Sequence, residues 1–249
     1  GDRRCACILR GIGSKEINQV EVLFELLIRE MELDMQRPLW SHLFYRLMQT
    51  LLLFGGVLLF RIRLRGILHE PTEGPVLVVA NHQSHLDPPM IGMFFRRPLN
   101  YMARETLFKF PPLGWLIYTL GAIPIDRDGV GLSGMKETLR RLKYGQMVLV
   151  FPEGSRTRDG RVGVFKPGFC ALARRGGVQL LPVGIAGAYR AWPRTRTFPR
   201  GETIEIEVGP PLGPEEIAKL DDTALIAEVR TRVETCLAAA EAHCRRTGR

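Results

Sequence analysis

The sequence predicts an α/β fold: a central, mostly parallel sheet flanked by helices, with an N-terminal amphipathic, membrane-associating helical segment. Three observations predict it. From residue 66 onward, short apolar runs alternate with helical stretches, the pattern of a sheet wrapped by helices. Several runs, such as Val76–Ala80, are rich in β-branched residues and read as buried strands. The 249 residues are 45% hydrophobic and 24% charged, which excludes disorder, collagen and coiled coil and leaves one large domain or two small ones.

Residues 1–34 read as an N-terminal extension, helical around Val20–Leu33. The chain opens on Gly1, and Met35 begins a basic, apolar stretch that is an equally good start. Cys5–Leu9 is too short for the apolar core of a secretion signal. Five cysteines, an odd number, argue against a disulfide framework and for a reducing compartment. The net charge is +9, and residues 1–34 contribute −2, so the body carries +11. A body this basic favours nucleic acid, anionic lipid or a phosphorylated substrate.

Residues 35–60 form the helical segment. Apolar pairs recur at Leu39/Trp40, Leu43/Phe44, Leu47/Met48 and Leu51/Leu52, with polar pairs between them, a four-residue repeat. The charge-free run Leu47–Phe60 has 14 residues. At about 1.5 Å per residue it reaches roughly 21 Å, short of a ~30 Å hydrocarbon core. The expectation is a helix lying in or dipping into one leaflet; the alternative is an ordinary core helix. Arg61-Ile62-Arg63-Leu64-Arg65 then alternates like a strand with three arginines on one face. That face suits lipid phosphates, or simply a charged edge strand.

Residues 61–249 hold the main domain. Strands are expected at Val76–Ala80, Leu99–Ala103, Ala122–Ile125, Met147–Phe151, Gln179–Ile185 and Thr203–Val208, the last half exposed because Ile and Val alternate with Glu. Helices are expected at Pro88–Phe95, Pro112–Leu120, Leu132–Tyr144, Lys166–Arg175 and Thr223–His243. Gly187–Gly201, with Arg190, Arg194, Arg196 and Arg200, reads as an exposed basic loop.

Two clusters carry chemistry, and both follow strands, where α/β sheets gather ligand groups. The first is Asn81-His82-Gln83-Ser84-His85-Leu86-Asp87-Pro88-Pro89. Asp87 before Pro88 has the form of a helix N-cap. The turn also allows Asp87 to fold back on His82, fixing its tautomer and supporting a protonated ring. On residues alone, a general base with its orienting acid and a capped helix beside a loop histidine both fit. The second cluster is Phe151-Pro152-Glu153-Gly154-Ser155-Arg156. Gly154 permits close approach of a ligand, and Arg156 offers a planar fork for phosphate oxygens. A solvated turn with incidental charge fits as well. Arg104, Lys109 and Arg127 lie between the clusters, Arg127 again after a strand.

In order along the chain these motifs resemble the glycerolipid acyltransferase family, typified by the 1-acyl-glycerol-3-phosphate acyltransferases. Asn81-His82…Asp87 matches its N-H-x-x-x-x-D, Gly121…Arg127 its G-x-x-x-x-x-R, and Phe151–Arg156 its F-P-E-G-[TS]-R. Leu181-Pro182-Val183 stands for its V-P-V/I strand. Ser155 replaces a commoner Thr and Leu181 a commoner Val, and neither removes a catalytic group. The resemblance covers roughly residues 39–210 and leaves residues 1–34 outside.

The resemblance implies an O-acyltransferase that moves a fatty acyl group from a thioester, acyl-CoA or acyl carrier protein, to the hydroxyl of 1-acyl-glycerol-3-phosphate. The product is phosphatidic acid. It gives His82 the role of base and Asp87 that of its partner. Arg127 and Arg156 would grip the acceptor phosphate. Glu153, Gly154 and Ser155 would shape that pocket, Glu153 by pairing with an arginine or with the glycerol, and Lys109 would be a further phosphate contact. No cofactor, metal or covalent acyl-enzyme is implied. The expected partners are the lysophospholipid, the thioester and a membrane surface, at the cytoplasmic face and of bacterial inner-membrane type, without nucleic acid. Other acceptors, such as glycerol-3-phosphate or another lysolipid, stay open. A thioester hydrolase would release fatty acid without an acceptor. A non-catalytic basic peripheral membrane protein would explain the charge but not the two motifs together.

Overall fold

The computed structural model describes residues 39–125 and 132–247. The expectations for residues 1–34 and for Arg127 lie outside them. Helix α1 (Leu39–Phe60) opens the described chain. Its polar side chains do the docking. Tyr45 is buried, and its hydroxyl accepts the Leu99 N–H at 3.1 Å. Gln49 donates to the carbonyls of Gly92 and Phe95 at 3.0 and 2.8 Å. Trp40, Leu43, Leu47 and Leu51, spaced three and four apart, share the opposite face, and each is more than half exposed. Along its first half the helix thus turns these four apolar side chains outward and its polar Tyr45 and Gln49 inward.

Chain order continues through β1 (Ile62–Arg65), β2 (Val76–Ala80), α2 (Asp87–Gly92), β3 (Leu99–Arg104), α3 (Pro111–Thr119) and β4 (Ala122–Ile125). Then come α4 (Leu132–Lys143), β5 (Met147–Val150), α5 (Gly168–Gly176), β6 (Gln179–Ala186), α6 (Ala188–Ala191), β7 (Ile204–Val208), α7 (Pro214–Lys219) and α8 (Asp222–Thr247). The strands form one sheet in the order β1-β7-β6-β2-β5-β3-β4. β2, β3, β4, β5 and β6 are parallel; β7 runs antiparallel to β6, and β1 parallel to β7. The mostly parallel sheet is the one the alternation predicts.

Strand residues sort by parity onto two cores. Val76, Val78, Leu149, Leu181 and Val183 pack with Met90 and Ile91 of α2 on one face. Leu77, Val79, Val148, Val150 and Leu180 pack with Phe169 and Leu172 of α5 and Leu225 and Val229 of α8 on the other. Both faces are covered, which is why the strands read as continuous apolar runs. α8 lies directly on β6: a Cβ at Gly184 would meet the Leu237 backbone nitrogen at 2.1 Å.

Two expectations are corrected. β7 is not half exposed, because Glu205 is buried at 1% exposure. It is tolerated there because Arg63 and Arg65 of β1 approach its carboxylate at 3.5 and 3.8 Å. The same pairs turn the charge of Arg63 and Arg65 toward a neighbouring strand rather than toward lipid alone. The helix expected from Lys166 begins at Gly168. A residue preceding proline is disfavoured in helical conformation, and Lys166 precedes Pro167.

Candidate active site

The parallel register decides which side chains meet. Val79 pairs with Val150, so β2 and β5 end side by side and deliver the His82 loop and the Phe151–Arg156 turn to one sheet edge. β3 ends at the same edge with Arg104. Asn81 holds the start of the loop. Its side chain donates to the Ile185 carbonyl at 3.0 Å and accepts the Ile185 N–H at 2.8 Å. The amide thereby continues the β2–β6 ladder where the backbone turns away.

Asp87 folds back as the first reading of the cluster expects. Its Oδ2 lies 2.8 Å from His82 Nδ1 and also accepts the N–H groups of Gln83 at 2.6 Å and Ser84 at 2.8 Å. It makes no side-chain cap to its own helix. Pro88 and Pro89 have no N–H to offer, and the Met90 N–H is taken by the Leu86 carbonyl at 2.9 Å. The carboxylate is therefore left for His82. A fully buried carboxylate facing Nδ1 places the ring proton on Nδ1. Nε2 is then the basic nitrogen, and it has no protein partner among the described residues. The Phe151 ring stacks on His82 with centroids 3.9 Å apart and planes 15° apart. It fixes the plane of the imidazole and presents an aromatic face to the ring when it is protonated.

Glu153 faces the main chain, with no arginine paired to it among the described residues. It is buried, and its two oxygens accept the backbone N–H groups of His82 at 2.9 Å and Gly163 at 3.0 Å. Burial pushes its carboxyl above the usual range, while those two N–H bonds oppose the shift. The carboxylate thus braces the His82 backbone rather than pairing with an arginine. The Thr157 N–H donates to the His82 carbonyl at 2.8 Å, so the turn grips both polar groups of the His82 main chain. Gly154 turns the chain between them at φ +68°, a conformation that costs other residues more. Ser155 next to it is exposed.

Arg156 is half-buried beside the loop. Burial lowers the His85 pKa first, and the positive field of Arg156 lowers it further, followed by His82; Arg104 acts in the same direction, and Asp87 opposes them. The His85 ring lies edge-on to Trp192, with centroids 5.9 Å apart. Lys109 is exposed at the end of the 3-10 turn Glu105–Lys109. Among the described residues it makes no hydrogen bond or ion pair with the His82 loop.

Sequence reasoning gave no role to Phe151, Asn81, Thr157 or Trp192. Phe151 opens the second motif and Thr157 follows it, and their positions beside a strand end were the available signal. The Trp192 carbonyl accepts the Ser84 hydroxyl at 3.0 Å across 108 residues, and nothing local announces that contact. Among the described residues no cluster of His, Cys, Asp and Glu is placed to hold a metal ion.

The chain is similar to known proteins in the same region. The acyltransferase family model matches residues 61–186. A 1-acyl-sn-glycerol-3-phosphate acyltransferase of Pseudomonas aeruginosa is 34% identical over 174 residues, 66% of this chain and 66% of that protein. A mouse enzyme, 1-acyl-sn-glycerol-3-phosphate acyltransferase alpha, is 32% identical over 193 residues, 74% of this chain and 67% of that one. The match to a chloroplastic relative in Arabidopsis thaliana spans 38% of that protein. The crystal structure of the 1-acyl-sn-glycerophosphate (LPA) acyltransferase of Thermotoga maritima superposes with a TM-score of 0.71 at 26% identity, covering 87% of this chain and 86% of that one. The matched span includes β2, the His82–Asp87 pair and the Phe151–Arg156 turn, and the chain belongs to the acyltransferase family.

Proposed function

We propose that this chain transfers a fatty acyl group from acyl-CoA or acyl carrier protein to the free hydroxyl of 1-acyl-glycerol-3-phosphate, giving phosphatidic acid. The observation that carries the reading is the His82–Asp87 pair, which leaves Nε2 as a base at the sheet edge where the Phe151–Arg156 turn also lies. The curated relatives are named for this activity.

His82 Nε2 takes the proton of the acceptor hydroxyl as its oxygen attacks the thioester carbonyl carbon. The new C–O bond forms and the carbonyl electron pair moves to oxygen. That pair then returns, the C–S bond breaks, and the departing sulfur receives the proton from Nε2. Asp87 and the Phe151 face stabilise the imidazolium between the two transfers. General base assistance of this kind contributes about 10²–10⁴-fold.

Arg156 is the phosphate contact of the acceptor in this reading, with Arg127 as a second. Thiol release is measured with palmitoyl-CoA and either lysophosphatidate or neutral monoacylglycerol. A charge-assisted hydrogen bond is worth about 1.5–3 kcal/mol. Arg156→Ala is therefore expected to raise KM for lysophosphatidate by about tenfold to a hundredfold, with little effect on monoacylglycerol. An unchanged phosphate preference removes Arg156 from that role. Thiol release independent of any acceptor makes the protein a hydrolase, and no turnover with either thioester overturns the reading.

The reaction takes place at a membrane surface, at the cytoplasmic face, with α1 as the seat. No helix among the described residues is long and apolar enough to cross a membrane. The outward stripe Trp40, Leu43, Leu47 and Leu51 supports a helix lying in one leaflet, and exposed Trp115 and Tyr118 of α3 extend it through the Phe44–Trp115 contact at 5.1 Å. Burying one leucine is worth about 1.5–3 kcal/mol. The double variant Leu43→Glu/Leu47→Glu is expected to lower partition onto phosphatidylglycerol vesicles at least about tenfold in a flotation assay. Equal partition of variant and parent contradicts the seat.

A further inference from the structure

The catalytic edge has two flanks. Arg156 follows β5 and Arg104 ends β3, both on one side of β2 in the sheet order. The other side, beyond β6, is a basin of about 970 Å³. β7 and β1 build it because they run against β6. Ala186 pairs with Glu205, and Ile62 with Ile204, so the strand starts come to the edge where β6 ends. Arg61, just before β1, joins Arg161, Arg190 and Arg245 in lining the basin.

These cations are loosely matched. Arg190–Glu202 and Arg245–Glu241 approach at 3.7 and 3.8 Å, against about 2.7–2.9 Å for a close charge-assisted bond. Among the described residues Arg61 and Arg161 have no ion pair. The Asp159 carboxylate is occupied by the Thr157 hydroxyl and the Arg161 backbone N–H, both at 3.0 Å. The four guanidinium groups outnumber the three carboxylates that share the lining, Asp159, Glu202 and Glu241, and their planar forks fit the phosphate oxygens of a compact polyanion.

The wall nearest the reaction is Gln83, the residue after His82. Its side chain is buried, donating to the Gly160 carbonyl at 3.2 Å and accepting the Tyr189 N–H at 3.1 Å. The basin therefore starts one residue from the base, on the β6 side of β2, whereas Arg156 follows β5 on the other side of β2. Acyl transfer needs two substrates to meet at Nε2, and the acceptor phosphate already has its cations on the opposite flank. We infer that this basin holds the phosphorylated nucleotide end of a coenzyme A thioester, with the pantetheine arm crossing Gln83 to bring the carbonyl to His82. The inference rests on the acyl-transfer reading and adds to it the place and chemistry of the donor. The volume is that of a small-molecule pocket, about 300–1,000 Å³, which favours a nucleotide over the convex acidic surface of a carrier protein.

The test is equilibrium binding of free CoA to the full chain by calorimetry, which needs no turnover. Arg161 and Arg245 are exposed, so Arg161→Gln/Arg245→Gln is expected to fold, as circular dichroism will show. CoA affinity is expected to fall about tenfold to a hundredfold in the double variant, and Arg61→Gln is an independent second loss. Adenosine 3′,5′-bisphosphate should compete with CoA for the parent protein, and pantetheine, which lacks phosphate, should not. In steady state KM for palmitoyl-CoA rises while KM for lysophosphatidate, bound on the other flank, does not. Equal CoA affinity in parent and variants overturns the inference. So does a parent that ignores CoA but uses acyl carrier protein thioester, a result that leaves acyl transfer standing. CoA bound in the basin without transfer to any acceptor keeps the basin and removes the acyl-transfer reading.

Discussion

His82→Ala lowers kcat by about 10²–10⁴-fold, read as thiol release at saturating thioester and lysophosphatidate. In the proposed mechanism the ring takes the hydroxyl proton, because Asp87 is fully buried behind it and Glu153 is occupied by two backbone N–H groups. The imidazole holds no phosphate, so KM for either substrate changes little and the loss lies in kcat. The protein stays folded. Asp87 keeps the Gln83 and Ser84 N–H groups, and the lost imidazole bond costs about 1.5–3 kcal/mol. Retained turnover would remove His82 as the base.

The second large effect is at Asp87, where two substitutions separate architecture from charge. Asp87→Ala leaves the N–H groups of Gln83 and Ser84 without their acceptor in a loop where both residues are buried. Each orphaned group costs about 1–3 kcal/mol, so the loss is a large share of a typical stability of about 5–15 kcal/mol. Asp87→Asn restores the acceptor. Its amide oxygen takes the place of Oδ2, and the amide nitrogen falls where Oδ1 already lacks a partner. Most of the stability returns, but the imidazolium has lost its carboxylate. The charged bond is worth about 1.5–3 kcal/mol, so kcat of the Asn variant stays about tenfold to a hundredfold below the parent. Denaturant unfolding and thiol release together read the two effects. An Asn variant as active as the parent would show that the carboxylate charge plays no part.

What the sequence made legible follows sequence distance. His82 and Asp87 sit within one short loop, so their pairing is legible in the sequence, and the structure selects it over a helix cap by turning the carboxylate away from its own helix. The alternation of buried runs and helices was enough for the parallel sheet. The role of Glu153 was not legible, because it depends on the β2–β5 register, which brings together groups 71 residues apart. Glu205 misled the reading of β7 for the same reason, its partners Arg63 and Arg65 lying on a strand far earlier in the chain. The period of α1 was clear, yet its direction was not: which stripe faces the protein is set by where Tyr45 and Gln49 find backbone partners. The basin beyond β6 is assembled from six separate stretches of chain and had no local signature beyond scattered arginines.

If the imidazole and its acid work as one unit, removing both should cost no more than removing the ring alone. The measurement is kcat for His82→Ala, Asp87→Asn and the double variant under one set of saturating conditions. The account predicts that the double variant turns over at the His82→Ala rate. Losses that multiply would mean Asp87 acts on the reaction independently of His82, and the proposed dyad would be wrong.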